Sequence, residues 1–558
     1  MRLRYYLLKV IVFILPINVF AQSTFITEGT KEYHFVDRLE IKNQDFTNFN
    51  FSAIKPYSRK SIVDEATFFD TSHAFHLSKV DQYQLKSLFM NNKEWYSNTD
   101  SFFYNKKPLL QNFYITKSNL FEVNQKDFFL VVNPVIGIEY GKENNTNKKL
   151  FLHSRGVTIR GIIANKIGFA ASITDNQERG PSYFQQQIAT YKAVPGVGFY
   201  KDYKDDPTAN DYFDARGYFT FNFTKYINFQ IGHDKNFIGD GYRSLFLSDC
   251  GNSYLFTKIN TKIWKLNYQN LFMELMPQFS KKGDSLISRK YAAIHHLSMN
   301  VTKWLNIGLF EGIVFGRKDH FDFQYLNPII FYRHIEGSVG SPDNALAGMD
   351  FKANALHRFQ FYGQFLLDEF ILSRIKDEPT NWANKYGFQL GAKYIDVLGV
   401  KNLDLQLEWN RVRPFTYTHS DSISNYTHYN QPLAHPLGAN FNEIISIVNY
   451  QPYPKLNIDA KLIFYTKGMD SVNTNFGGNI FKDYTTRSGE NDFYIGSGDK
   501  ATCINASLNV AYEIIQNTYL ECGIQYRNYK LQTQSDPNNS TSINIGLRMN
   551  LNRRVYDY

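Results

Sequence analysis

The feature that most constrains this chain is alternation. Leu403, Leu405, Leu407 and Trp409 interleave with Asp404, Gln406, Glu408 and Asn410. Near the C-terminal side, Ile543, Ile545, Leu547, Met549 and Leu551 interleave with Asn544, Gly546, Arg548, Asn550 and Asn552. Successive side chains of a strand point to opposite faces, so each of these segments has one apolar flank and one polar flank. A carboxylate at every second position does not suit a dry sandwich core. It suits a water-filled lumen with lipid on the other side, as in a transmembrane β-barrel.

Residues Met1–Ala21 read as a cleavable signal peptide. Arg2, Arg4 and Lys9 form the basic start, Val10 to Leu15 the apolar core, and Val19-Phe20-Ala21 the cleavage site. The rival reading, an anchor helix, is weakened by the shortness of the run and by Pro16. No later run approaches the roughly 18 apolar residues of a spanning helix, and mean hydropathy is −0.39. Aromatic residues make up 16% of the chain, which fits the aromatic girdles of a barrel. A large secreted sandwich or propeller would share that richness but not the inward charges. The formal net charge is +9, a mild excess that suits acidic sugars or lipopolysaccharide phosphates as well as plain solvated surface. No basic run with interleaved aromatics points to nucleic acid. Three cysteines, Cys250, Cys503 and Cys522, permit at most one internal disulfide, and whether Cys503 and Cys522 bond is open.

The chain divides into the leader (1–21), an N-terminal segment with a helical plug (22–105) and the barrel (106–558). Ser78 with Asp81 is a helix-start signature, followed by the apolar stripe Leu77, Val80, Leu85, Leu88 and Phe89. A second short helix is expected over Ser61–Phe69. Helices ahead of a barrel need a surface for their apolar stripes, so they read as a periplasmic cap or as a pair packed beside the mouth. From Asp127 onward the period is two. Strands are expected over 128–140, 156–163, 167–174, 218–224, 227–232, 262–269, 292–301, 305–315, 359–367, 386–395, 403–412, 444–450, 456–465, 502–514, 518–529 and 542–551. With the ambiguous stretches this gives about 16 to 18 antiparallel strands. Short turns, such as Asn165-Lys166 and Gln516-Asn517, belong on the periplasmic side. The long polar segments 175–211, 234–253, 316–344, 413–442 and 467–501 belong outside. An aromatic end, Tyr556 and Tyr558, suits recognition by barrel insertion machinery.

Enzymatic motifs are missing: there is no G-x-S-x-G, H-E-x-x-H, Walker loop or G-x-G-x-x-G. His233-Asp234 would face opposite ways on a strand. His73 and His76, His295-His296, and the loop set His419, His428 and His435 with Asp421 lack metal-site spacing. No catalytic residue, metal or cofactor is expected. Two external segments instead carry the groups that read sugars: planar amides, carboxylates, guanidinium forks and flat aromatic faces. They supply Asp234, Asn236, Asp240, Tyr242 and Arg243, and Tyr417, His419, Tyr426, His428, Tyr429, Asn430 and His435. The same residues could equally satisfy backbone groups in loops folded into the mouth. Buried Asp and Arg there must pair, with Arg333 and Asp343 as further members.

The run Gly232–Leu245, with Asn236-Phe237-Ile238-Gly239-Asp240-Gly241-Tyr242-Arg243-Ser244 inside it, resembles the Wzi-type capsule assembly family. So do Asn327-Pro328-Ile329-Ile330-Phe331-Tyr332-Arg333, Gly340-Ser341-Pro342-Asp343-Asn344 with Gly348, and the 425–440 run. Lys55-Pro56-Tyr57-Ser58-Arg59 is similar to the family's entry into its helices. The likeness is to a Bacteroidetes-type branch that includes a gliding motility protein. It implies an 18-stranded outer-membrane barrel with periplasmic helices, a lectin-like hold on surface or capsular polysaccharide, and no catalysis. It also implies contact with outer-membrane lipid and lipopolysaccharide, and in that branch a link to gliding or adhesin machinery. The alternative for the same barrel is an oligosaccharide porin or diffusion channel. An outer-membrane hydrolase is a third class, and a TonB-coupled transporter would need a longer chain.

Overall fold

The computed structural model describes residues 22–45, 51–71, 77–98, 100–277, 286–318, 320–329, 331–340, 342–368, 376–421, 423–471 and 473–558. The leader, with residues 1–21, and the His73/His76 pair lie outside the described residues. The architecture is a closed antiparallel barrel of 18 strands. The first nine are β1 (Phe128–Glu143), β2 (Lys149–Ile163), β3 (Ile167–Arg179), β4 (Asp206–Asn222), β5 (Ile227–Asp234), β6 (Tyr254–Ile263), β7 (Leu266–Leu275), β8 (Lys290–Asn300) and β9 (Leu305–Phe315). The rest are β10 (Asn344–Ala355), β11 (Phe359–Leu367), β12 (Tyr386–Tyr394), β13 (Leu403–Val412), β14 (Phe441–Tyr453), β15 (Leu456–Met469), β16 (Asp499–Ile515), β17 (Thr518–Leu531) and β18 (Asn538–Met549). Each pairs with the next, and β18 closes on β1 through Ile545↔Tyr140 and its neighbours. A short strand, Phe121–Gln125, leads in against the start of β1.

The alternation has the expected consequence on the outer wall. On β13, Leu407 is 47% exposed, whereas Asp404, Glu408 and Asn410 point inward and are buried. Two sequence-derived strands need correction. The stretch 262–269 is not one strand: Trp264, at φ +53°, and Lys265 form a two-residue turn between β6 and β7. The alternation runs through that turn, so period alone could not place it. Strand β10 was missed because its outward positions are mostly alanine (Ala345, Ala347, Ala353 and Ala355), which gives the apolar flank little weight.

Three helices precede the barrel: α1 (Lys31–Asn43), α2 (Arg59–Thr71) and α3 (Lys79–Asn91). Ser78 caps α3, its hydroxyl accepting from the Asp81 N–H at 3.0 Å while the Asp81 carboxylate accepts from the Ser78 N–H. Phe35, Leu39, Ile62, Ala66, Leu85 and Phe89 form the helices' shared core. The bundle closes the short-turn end of the barrel. There Arg38 pairs with Asp404, at the start of β13, and with Asp81 and Asp396, each at 3.1 Å. Lys31 reaches Glu513 at 2.8 Å, and Arg160 pairs with Glu94.

The opposite half of the bore departs from the wet lumen that alternation suggested. Leu271, Met273, Ile294, Phe310, Val314, Leu346 and Leu366 line it and pack against Leu245, Phe246, Leu247, Tyr417, Tyr426, Leu433 and Ile480 from inward-folded loops. Here the strands have apolar residues on both faces, as in Ile313-Val314-Phe315. That is the pattern of strands covered on both sides.

Candidate functional site

The mouth is built by the segments 235–253, 413–440 and 470–498, which fold into the barrel. Segment 235–253 is pinned from below by Glu408 on β13, whose carboxylate accepts the Tyr242 N–H at 2.6 Å and the Arg243 N–H at 3.0 Å. Tyr362 donates its hydroxyl to the same carboxylate at 2.8 Å. From above, Tyr417 and Tyr426 stack at 5.7 Å and donate their hydroxyls to the Leu245 and Phe246 carbonyls at 2.8 and 2.7 Å. Lys290 holds Asn425 through the Asn425 carbonyl (2.8 Å) and side-chain oxygen (2.9 Å).

The first group of sequence-derived candidates does not form one cluster. Asp234 lies half-buried at the end of β5, 4.0 Å from Arg216. Asn236 accepts from the Lys258 ammonium at 2.9 Å. Asp240 turns toward the plug, 3.4 Å from Lys352, which also pairs with Glu40 of α1 at 2.6 Å. Tyr242 and Arg243 meet Asp557. Burial works to raise the Asp557 carboxyl, but Arg243 and Lys461, the latter at 2.6 Å, outweigh it and hold it below the usual carboxylate range.

The second group is drawn closer together. His419 is buried edge-on to Tyr484. His428 accepts the Met276 N–H at Nδ1 (3.0 Å), so its Nε2 carries the proton toward the Ser253 carbonyl (3.2 Å). Burial pushes its pKa down to about 3, which keeps the ring neutral. His435 is fully buried, 2.7 Å from Glu443 and stacked on Phe441; burial lowers it against the pull of that carboxylate. Tyr429 and Asn430 are half-buried, both at positive φ, and Asn430 donates to the Tyr191 carbonyl at 2.8 Å. Arg333 and Asp343 do not join this network: they pair with Glu336 and Arg317 on the outside of the barrel. All three cysteines are free.

Asn430 leads to a cleft at this end. The cleft is open to solvent, about 550 Å³ of empty space with its open mouth included, and lies between the helix α4 (Ser182–Tyr191), the mouth segments and the tail beyond β18. Its aromatic walls are Tyr191, Phe481 and Tyr558, with Tyr191 and Phe481 5.8 Å apart. Its amides are Gln187, Asn430, Gln431 and Asn479, and Lys467 adds an ammonium. Of the wall residues only Asn430 was a sequence-derived candidate. Tyr191 was missed because 175–211 reads as a plain loop, although Tyr183, Phe184, Ile188 and Tyr191 carry a helical stripe. Tyr558 was missed for a different reason. The chain does not end in a strand: from Met549 it turns back into the bore, where Arg553 pairs with Asp459 (3.0 Å) and Glu521 (3.1 Å), and Arg554 with Glu178 (3.1 Å). Tyr556 is buried there, its hydroxyl donating to Glu178 at 2.6 Å.

A closed 18-stranded barrel with a lipid-facing apolar wall, short turns at one end and long loops at the other is an outer-membrane β-barrel, here with its bore occupied by its own chain. The sequence profile of the capsule assembly protein Wzi family matches residues 186–542, more than half of the 558. The chain belongs to that family, and it is a protein of the cell outer membrane.

Among solved structures it is similar to Wzi of Escherichia coli, described as an outer membrane protein involved in group 1 capsule assembly and a carbohydrate-binding β-barrel. Identity is 12%, the match covers 94% of this chain and 99% of that one, and the TM-score is 0.57. OprD of Pseudomonas aeruginosa matches at 10% identity over 75% of this chain and 94% of that one, with a TM-score of 0.42. OccAB2 of Acinetobacter baumannii matches at 9% identity over 75% and 97%, with a TM-score of 0.40. No curated protein matches the chain.

Proposed function

We propose that this barrel binds surface or capsular polysaccharide at the cell surface and holds it there, without catalysis. The observation that carries the reading is the lining of the solvent-open cleft at the long-loop end, where aromatic faces, four amides and an ammonium converge. Sugar rings stack their C–H patches on aromatic faces and present paired hydroxyls to amides. An ammonium adds preference for acidic residues of a polymer. Membership of the capsule assembly family and the carbohydrate binding of Escherichia coli Wzi support the same role.

The filled bore favours a holder over the alternative of an oligosaccharide porin. Inward-facing Gln389, Asn410 and His296 are fully buried among chain segments. The gliding role implied by the resemblance has no structural observation behind it, and colony spreading tests it separately. The experiment replaces the chromosomal copy with the Y191A/F481A variant and scores released surface polysaccharide and spreading. Increased release with an intact, correctly folded barrel is the expected result. Unchanged retention overturns the reading, and lost spreading with retained polysaccharide supports the motility role instead.

A further inference from the structure

The motif Asn327–Arg333 belongs to no part of the mouth. The segment 316–343 folds outward, over the membrane-facing wall. Even-numbered residues of β9 point inward: Phe310 stacks on Phe246 at 4.3 Å, and Val314 joins the mouth core. Odd-numbered residues point out. Leu309 is 57% exposed, as a lipid-facing residue should be, yet Ile313 and Phe315 above it are fully buried. What covers them is the segment itself, through Tyr325, and through Tyr332 and Ile335 of the short helix α5 (Tyr332–Ser338).

The covered strip holds groups that lipid would not tolerate. His295, Glu311 and Asn270 all lie on outward positions of β8, β9 and β7 and are sheltered by the segment. Tyr332 stacks on His295 at 4.0 Å, and the Arg333 N–H donates to Glu311 at 3.2 Å. Polar side chains on the lipid face are costly, by roughly 2–4 kcal/mol for a cation at the midplane. A protein cover removes that cost.

The cover itself exposes a large apolar face: Phe323 at 80%, Ile329 at 85% and Phe331 at 77%, with Leu326 beside them. Its height is fixed by two contacts. Tyr268 donates its hydroxyl to the Pro328 carbonyl, and Tyr268 is registered opposite Leu297, a lipid-facing residue whose own partner is Leu309. Counted from the short-turn end, Glu311 stands as high in β9 as Trp409 does in β13. The Trp409 indole N–H is satisfied by Asn442 at 2.7 Å while its ring faces out, the posture of an interfacial girdle residue. The cover therefore lies at the outer headgroup level and is continuous with the lipid band below it. Exposed Lys318 and Arg333 flank its apolar side chains in sequence, and Arg333 remains largely exposed while paired with Glu336 at 2.7 Å. Cations and hydrophobes at that depth match a phosphorylated amphiphile.

We propose that segment 316–343 is a docking face for a phosphorylated lipid of the outer leaflet, with acyl chains against Phe323, Leu326, Ile329 and Phe331, and phosphate at Lys318 and Arg333. This site is separate from the polysaccharide cavity, and either can fail alone. The test reconstitutes the full chain in phosphatidylethanolamine/phosphatidylglycerol vesicles whose acyl chains are brominated or plain. Added tryptophan in the I329W and F331W variants is expected to lose at least half its emission to bromine, while that of Y494W, on the 470–498 segment, keeps it. Lipid phosphate co-purifying with the detergent-extracted barrel is expected to fall at least twofold in K318Q/R333Q. Heat-modifiable gel mobility shows that each variant folds. Unquenched F331W emission with a monomeric barrel places the segment in water and overturns the proposal. Unquenched emission with a dimeric mass overturns it in favour of a second copy of the chain.

Discussion

The two ends of the bore are closed by different chemistry. At the short-turn end the plug is fastened by ions: Arg38 among Asp404, Asp81 and Asp396, Lys31 on Glu513, Lys393 on Asp37 at 2.7 Å. At the mouth a neutral upper layer of stacked tyrosines, carbonyls accepting hydroxyls and uncharged His428 lies over charged anchors, Glu408, Lys290 and the Arg243–Asp557–Lys461 group. The plug is a separate helical unit whose position must be specified against a polar rim, and charge pairs specify position well. The mouth loops are tethered at both ends to the strands they seal. Their closure needs packing and satisfied hydrogen bonds, and it leaves the cavity that a ligand can use.

The comparison breaks most severely at Arg38. R38A leaves Asp404, Asp81 and Asp396 with Lys42 as their remaining lysine, 2.7 Å from Asp81 and 3.6 Å from Asp396, a loss of up to about 3–5 kcal/mol for a buried partner. The Arg38 side chain is 5% exposed, so little water replaces it. The expected outcome is release of residues 22–105 to limited trypsin digestion while the barrel stays heat-modifiable. Intact protection would show that ions do not hold that end.

Acid acts next, and on the mouth. His428 is depressed to about 3 from an ordinary 6.5. The opened loop binds a proton in that interval and the closed one does not, so closure is fully stable above pH 6.5 and weakens as pH falls toward 3, by up to ~1.4 kcal/mol per unit. The protection factors of the 413–440 amides, with the intrinsic pH dependence of exchange divided out, should fall between pH 6.5 and 5, and H428Q should flatten that dependence. The α3 cap responds lower. Burial works to raise Asp81, but Arg38 and Lys42 hold it below the usual range, so its contribution persists until pH drops beneath ordinary carboxylate values. A pH-independent mouth would contradict the neutral, buried His428.

The smallest effect sharpens the distinction between ion pairs that are buried and those that are merely present. Lys60 and Asp64 pair at 2.6 Å on the surface of α2, with side chains 42% and 52% exposed. K60A is expected to change plug protection by no more than about 0.5 kcal/mol, read in the same trypsin assay as R38A.

Much of the barrel was legible in the residues. Asp404, Glu408 and Asn410 faced inward and Leu407 outward as their alternation required, and Ser78 with Asp81 opened α3. The mouth was legible only as a composition. Tyr417 and Tyr426 look like sugar platforms in sequence, but both are buried and hold the 235–253 segment in place. Tyr558 had no periodic neighbour to give away its turn into the bore. The outward fold of 316–343 left one trace, the unbroken Ile313-Val314-Phe315, which marks a strand covered on both faces but does not say by what.

By itself the sequence determined the wall, because lipid on one side and protein or water on the other imprint a two-residue period that needs no distant partner to be read. Only the tertiary structure decided what fills the bore, which loop folds inward and which outward, and where a cavity remains. Those outcomes depend on contacts between segments far apart in sequence, such as Tyr426 with Phe246, 180 residues away, and Asp557 with Lys461, 96 away. A local pattern records how a side chain is oriented, and the identity of the surface it meets is set by the closing of the whole barrel.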